Sequence, residues 1–196
     1  MKFLTSRPIV LASSSPRRLD LLQQTGFDVR VMVREAKELS CLGEGMSPAQ
    51  LVEENALRKA RAVLDHTAED ALILAADTVV YCDGQLFGKP VDAADAVSML
   101  QRLSGAEHSV FTGHCLWDKS GDKCQLRHSQ TIVRFAKMSD DEIAAYVKSK
   151  EPMDKAGAYA VQGIGALFVS GIEGDYSTVV GLSLPLLREM LLQLAN

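Results

Sequence analysis

The sequence predicts a single α/β domain over residues 1–196, in one or two lobes. Three observations predict it. Short apolar runs alternate along the whole chain with leucine-bearing stretches at helical spacing. Two capping boxes, Ser47-Pro48-Ala49-Gln50 and Ser139-Asp140-Asp141-Glu142, mark helix starts. No repeat, low-complexity tract or linker interrupts the pattern, and 47% hydrophobic with 23% charged residues is an ordinary globular composition.

Taken in order, residues 8–12 read as a short apolar strand that Ser13-Ser14-Ser15-Pro16 breaks. Pro16 suits the first turn of a helix, where a missing N–H costs nothing, and the helix over 17–24 stops at Gly26. Residues 27–33 alternate Phe27, Val29, Val31 and Val33 with polar partners, the period of a half-buried strand. A charged, glycine-bearing loop follows over 34–46. The first capping box then starts a helix through Leu51, Leu57, Ala60 and Leu64.

Residues 72–76 form a buried strand ending at Asp77-Thr78, which Val79-Val80-Tyr81 continues into an Asp83-Gly84 hairpin turn. A helix is expected over 92–103. Residues 109–117 and 130–135 read as an antiparallel pair around the Lys119-Ser120-Gly121-Asp122 turn. The second capping box opens a helix to about Lys148. A glycine-rich stretch over 156–174 should hold a strand at 166–169, and a leucine-rich helix closes the chain over 184–194.

The totals exclude several classes. A formal net charge of −4 argues against general nucleic-acid binding through the Arg17-Arg18 patch. No apolar stretch approaches the ~20 residues that span a membrane, and the N-terminal run is too short for a signal segment. Cys41, Cys82, Cys115 and Cys124 show neither metal nor disulfide spacing, and reduced, mostly buried thiols are expected. His66, His108, His114 and His128 lack the spacing of a zinc motif. The expected setting is the cytoplasm.

Four segments carry candidate chemistry. At Ser13-Ser14-Ser15-Pro16-Arg17-Arg18, a strand turns into a helix whose first N–H groups, hydroxyls and guanidinium forks suit a phosphate. A helix cap with two solvated arginines is the plainer reading, and a P-loop pattern is absent. Asp77 ends a buried strand, where it serves as a general base, a ligand for a divalent cation, or simply a turn cap. Lys59 and Lys89 are dispersed cations, the latter in the rigid turn Gly88-Lys89-Pro90. In the fourth segment, Asp154 to Gly165, glycines permit close backbone approach and the Gln162 amide offers a paired donor and acceptor.

The order of these pieces resembles the Maf family of nucleotide pyrophosphatases. The likeness runs from Leu11-Ala12-Ser13 and Ser15-Pro16-Arg17-Arg18 through Ala76-Asp77-Thr78-Val79-Val80 and Gly88-Lys89-Pro90. It continues through Leu103-Ser104-Gly105, Thr112-Gly113 and the long run Glu151-Pro152-Met153-Asp154-Lys155-Ala156-Gly157-Ala158-Tyr159. Gln162-Gly163, Gly174-Asp175-Tyr176 and Val179-Val180-Gly181-Leu182 complete it.

The resemblance implies an elongated, mixed-sheet α/β fold of the Maf/ITPase-like kind, with two lobes around a central cleft. It implies hydrolysis of a nucleoside triphosphate to its monophosphate and pyrophosphate with a divalent cation, Mg or Mn. Asp77 matches the family's proton acceptor. Arg17, Thr78 and Gln162 match positions tied to substrate choice, and Ser13, Arg18, Lys59 and Lys89 match residues expected around the phosphates. The metal would be held by Asp77 and an acid following the second strand. There the chain reads Glu35-Ala36-Lys37-Glu38, with lysine where a carboxylate is expected, so Glu38 is the assigned ligand and Glu35 the alternative.

Asp77-Thr78 with Gln162 resembles the dTTP/UTP branch, whereas the 7-methyl-GTP branch carries Ser-Asp-Gln. The expected activity is hydrolysis of dTTP and UTP, with modified pyrimidine nucleotides as further candidates. Its role would be nucleotide-pool house-cleaning linked to cell-division arrest. The competing expectations are a non-catalytic nucleotide-binding regulator of septum formation and a 7-methyl-GTP-specific pyrophosphatase. A nucleoside triphosphate and, in a homodimer, a second copy are the expected partners; nucleic acid and membrane are not.

Overall fold

The computed structural model describes residues 4–68 and 70–194. Its elements run β1 (Ile9–Leu11), α1 (Pro16–Gln24), β2 (Val29–Val31), α2 (Pro48–Leu64), β3 (Leu72–Cys82), β4 (Gln85–Phe87) and α3 (Ala93–Leu103). β5 (Glu107–Asp118), β6 (Lys123–Phe135) and α4 (Asp140–Lys148) follow. Three 3-10 turns (Glu151–Asp154, Ala156–Ala158, Gly163–Phe168) lead to β7 (Val169–Glu173), α5 (Tyr176–Val180) and α6 (Leu184–Leu194). The strands form a mixed seven-stranded sheet in the order β2-β1-β3-β5-β6-β7, with β4 paired to β3. β1 runs parallel to β2 and β3, while β4 and β7 pair antiparallel to β3 and β6.

Where the sequence carries local signals, the elements start where those signals stand. Ser47 and Gln50 exchange side-chain and backbone hydrogen bonds at the start of α2, and Ser139 and Glu142 do the same at α4. Gly26, at φ +74°, follows the C-terminal end of α1. Two expected strands differ: β6 starts at Lys123 rather than at residue 130, and the strand expected at 166–169 is largely replaced by a turn. Residues 166–169 do not form a strand: the backbone makes a 3-10 turn over Gly163–Phe168, and the strand starts at Val169. Hydrogen bonds from this turn's N–H groups to a carboxylate hold it out of the sheet, as shown below. Cys82 and Cys115 are buried but Cys41 and Cys124 are exposed, so half of the thiols depart from the expected burial.

The chain divides into two compact units. The first comprises residues 1–77, 112–129 and 181–196, the second 78–111 and 130–180. Unit 1 packs Ala56, Ala60 and Val63 of α2 against Ala12, Ile73, Ala75 and Cys115. Small residues on both sides let the helix lie close to the strands. At Gly113 the approach is closer still: an added Cβ would stand 2.3 Å from the Val52 carbonyl carbon and oxygen. Unit 2 is built around Val80, Phe87, Leu100, Leu103, Phe135, Ile143 and Tyr146. Within it His108, Phe135 and Tyr159 make mutual edge-to-face ring contacts. No helix among the described residues is long and apolar enough to cross a membrane.

Two stability predictions follow from this packing. Gly113→Ala forces a methyl group against backbone that cannot yield, at a cost of about 3 kcal/mol. That corresponds to a melting temperature lower by about 10 °C, and a thermal melt within about 2 °C of wild type would contradict it. His108 is 3% exposed, and burial pulls its pKa down to about 4. Its unfolded form titrates near 6.5, so the unfolded state binds more protons between those values. Stability is therefore retained above pH 6.5 and lost as pH falls towards 4, by about 3 kcal/mol from this group. In His108→Gln, which leaves the Tyr159 hydroxyl a partner, urea titrations at pH 7 and pH 4 should show that part of the loss removed.

Candidate active site

Asp77 closes a run of fully apolar residues, Leu72-Ile73-Leu74-Ala75-Ala76, and is 8% exposed. A carboxylate in such a place needs compensation, since an unpaired buried charge is costly. Helix α2 supplies it from two positions one turn apart. Lys59 Nζ lies 2.6 Å from Asp77 Oδ1, and Asn55 Nδ2 donates to Asp77 Oδ2 at 2.9 Å. The i, i+4 spacing puts Asn55 and Lys59 on one helix face, aimed at one carboxylate.

Each partner holds a second group. Lys59 Nζ also pairs with Glu38 Oε2 at 2.8 Å. Asn55, itself 2% exposed, accepts from Leu39 N–H at 2.7 Å and donates to Leu39 C=O at 3.0 Å. These bonds fix which way the amide points, because the flipped amide would face oxygen with oxygen. The loop residue beside Glu38 is thereby fastened to the helix that holds Asp77. Lys37, the departure noted in the sequence, offers its carbonyl to Arg58 Nη1 at 2.8 Å. Of the two alternative acids, Glu38 is the one that pairs with Lys59.

The serine–arginine turn lies in the same unit. Ser13 Oγ accepts from Ser15 N–H at 3.2 Å and from Arg18 Nη1 at 2.9 Å, while Arg18 Nε donates to Gly181 C=O at 2.7 Å. Arg18 is 9% exposed. Burial lowers its pKa below the ordinary arginine range, and the Asp77 charge acts in the opposite direction. It is thus an internal cation with part of its fork committed to protein. Arg17, its neighbour on α1, is half-buried.

The remaining predicted residues belong to unit 2. Thr78 follows Asp77 on β3 and is half-buried; in an extended strand its side chain takes the face opposite to that of Asp77. Lys89 is exposed in the turn after β4, where Gly88 C=O accepts from Gly157 N–H at 3.0 Å. Gln162 is exposed and extended immediately before the Gly163–Phe168 turn. So Ser13, Arg17, Arg18, Glu38, Lys59 and Asp77 share unit 1, while Thr78, Lys89 and Gln162 share unit 2.

The donor chemistry fits a hard divalent cation. Asp77 Oδ1 and Glu38 Oε2 both lie within 2.8 Å of one ammonium nitrogen, so two anionic oxygens already converge on a single positive centre. Among the described residues no group of three or more His, Cys, Asp or Glu side chains is arranged to hold a metal. Two carboxylates match the way Mg²⁺ is usually held, by few protein oxygens with water and substrate phosphates completing the shell.

Sequence reasoning missed Asn55. A polar residue on the inward face of α2, one turn before Lys59, was the available signal.

Comparison with known proteins gives the family and the fold. The family described as "Maf-like protein" matches residues 8–194. A protein of Symbiobacterium thermophilum named "dTTP/UTP pyrophosphatase" is 49% identical over 185 residues, covering 94% of this chain and 93% of that one. A protein of the same name from Pelotomaculum thermopropionicum is 48% identical, covering 94% and 95%. The Staphylococcus aureus Ham1 protein shares the fold at a TM-score of 0.55 and 12% identity, over 95% of this chain and 99% of that one. The chain belongs to the Maf-like protein family.

Asn55→Leu keeps the number and branching of the side-chain heavy atoms but leaves Asp77 Oδ2 and the Leu39 peptide groups without their partner. The expected result is a stability loss of about 2 kcal/mol with faster amide exchange at Leu39. Unchanged exchange there would mean that Asn55 does not hold the loop.

Proposed function

We propose that this chain is a nucleoside triphosphate pyrophosphatase that cuts dTTP and UTP into the monophosphate and pyrophosphate. The observation that carries the reading is the buried Asp77 carboxylate bridged through Lys59 to Glu38. The names of its relatives supply the reaction and the pyrimidine preference.

On this reading Asp77 accepts the proton of the water that attacks the α-phosphorus. The bond from that phosphorus to the bridging oxygen breaks, and pyrophosphate leaves with the bonding pair. Lys59 orients Asp77 through one carboxylate oxygen and Asn55 fixes the other, so the base needs no rearrangement before it acts. Ser13 and Arg17 bind phosphate oxygens. Arg18 holds the Ser13 hydroxyl in place and adds positive potential from within. Lys89 offers a further cation to the phosphate chain, while Thr78 and Gln162 choose the base. Asp77 and Glu38 would hold Mg²⁺ or Mn²⁺, which supplies Lewis-acid neutralisation of the phosphate oxygens. A house-cleaning role in the cytoplasm follows from such a substrate range.

The test is turnover of dTTP, UTP, CTP, GTP, 7-methyl-GTP and ATP with Mg²⁺ or Mn²⁺, with pyrophosphate and free phosphate measured separately. Pyrophosphate should come chiefly from dTTP and UTP. Asp77→Asn should lower kcat by about 10²–10⁴-fold. A preference for 7-methyl-GTP would overturn the pyrimidine assignment, and full activity in Asp77→Asn would overturn the role given to Asp77.

A further inference from the structure

The run Glu151-Pro152-Met153-Asp154-Lys155-Ala156-Gly157-Ala158-Tyr159 is the longest continuous stretch of the family likeness, yet the chemistry above uses none of its residues. Its first residue has an unusual set of contacts. Glu151 Oε1 accepts from Tyr146 Oη–H at 2.9 Å and from Gly165 N–H at 2.9 Å, and Oε2 accepts from Ile164 N–H at 3.0 Å. Burial acts to raise the Glu151 pKa, but the Gly165 and Ile164 N–H groups and the Tyr146 hydroxyl outweigh it and hold the group below the usual carboxylate range.

The fit around this carboxylate is close. A Cβ on Gly163, which sits at φ +73°, would stand 2.6 Å from Glu151 Oε2. A Cβ on Gly165 would stand 2.4 Å from both the Tyr146 hydroxyl and the Ala160 carbonyl oxygen. The Tyr146 hydroxyl in turn accepts from Ala160 N–H at 3.2 Å. The backbone is therefore held on both sides of Gln162, at Ala160 before it and at Ile164 and Gly165 after it, by one hydrogen-bonded Tyr146–Glu151 pair. Gln162 itself stays exposed between those anchors.

We propose that Glu151 is a specificity-determining positioning residue: with Tyr146 it clamps the backbone around Gln162 and so fixes how that amide meets the pyrimidine base. This rests on the reading above, in which Gln162 helps to choose the base. A glutamine amide discriminates by presenting donor and acceptor along set directions. If the backbone beneath it loosens, the amide accommodates other base edges and the discrimination falls. Both carboxylate oxygens are committed to the Tyr146 hydroxyl and the turn's N–H groups, so the loss of Glu151 should fall on binding and selectivity rather than on the bond-breaking step. It also occupies the N–H donors of Ile164 and Gly165, and the Gln162 side chain just before the turn stays exposed.

The experiment measures kcat and KM for UTP and GTP in wild type, Glu151→Ala, Tyr146→Phe, Gln162→Ala and the Glu151→Ala/Gln162→Ala double variant, with hydrogen exchange over residues 160–168. Glu151→Ala should raise KM for UTP about ten-fold, leave kcat within about three-fold, and narrow the UTP-to-GTP ratio of kcat/KM by about ten-fold. Exchange over 160–168 should accelerate. In the Gln162→Ala background the narrowing should vanish, because the two residues act through one contact. Tyr146→Phe should shift the same quantities in the same direction by less, and it decides the matter if Glu151→Ala does not fold. A fall in kcat with the ratio unchanged, unaltered exchange, or narrowing that persists without Gln162 would overturn the proposal. Wild type that releases no pyrophosphate from UTP or dTTP would instead remove the functional reading itself.

Discussion

A carboxylate placed at the end of an apolar strand must be compensated, and much of unit 1 is arranged around that need. Asp77 has a run of five apolar residues behind it and only 8% of its surface exposed. Lys59 and Asn55 reach it because α2 lies close to the strands, and α2 lies close because Ala56 and Ala60 face Ala12 and Ala75. Gly113 contributes at the same helix, since any side chain there would meet the backbone of Val52. The capping box at Ser47 fixes where α2 begins and so helps to set which residues occupy its inward face. Small residues, helix register and buried charge are thus one constraint seen at three levels: a larger side chain at the contact would displace the cation from its carboxylate, and the cost of burying Asp77 would then stand uncompensated.

Both units use the same device to hold a functional loop. In unit 1 the Asn55 amide pairs with both peptide groups of Leu39, next to Glu38. In unit 2 the Glu151 carboxylate takes the N–H groups of Ile164 and Gly165, shortly after Gln162. Each anchor is a side chain satisfying backbone groups that no helix or sheet ladder serves there. In each case the anchored residues stand within three positions of a proposed site residue, Glu38 or Gln162, and not at it. Backbone order is thus supplied without using the side chain of the proposed site residue.

Much of this fold could be read from local signals. Both capping boxes, the helix stop at Gly26 and the buried strand before Asp77 lie where short-range chemistry puts them. What could not be read depends on partners far along the chain. The Gly163–Phe168 turn looked like a strand because Ala166 to Val169 is apolar, whereas the Glu151 carboxylate that takes the turn's N–H groups lies outside that run. The N-terminal half of β6 escaped because its half-buried positions, Gln125, Arg127 and Ser129, are polar while Cys124 and Leu126 lie on the exposed face, so no apolar run announces it. Ser13, Arg18, Lys59 and Asp77 were nominated from the sequence, yet their mutual contacts were not. Asn55 was overlooked because an asparagine inside a helix reads as a weak helix former rather than as a ligand for a loop.

The two adjacent arginines show how position, rather than residue type, assigns a role. Consecutive helix residues point about 100° apart, and in α1 that rotation sends Arg18 inward to Ser13 and Gly181 while Arg17 stays half-buried. The inward guanidinium and the Lys59 ammonium together match the charges of Asp77 and Glu38, so these four groups carry no surplus for a highly anionic ligand. A triphosphate drawn to this end of the sheet would therefore depend on charge from elsewhere: on Arg17, on the N–H groups that open α1, and on a cation carried with the nucleotide. On the proposed function, that balance favours a nucleotide that arrives with a divalent cation. Two carboxylates already neutralised by protein cations gain nothing from a bare triphosphate. On that reading they would accommodate one whose own charge has been partly cancelled by a divalent ion.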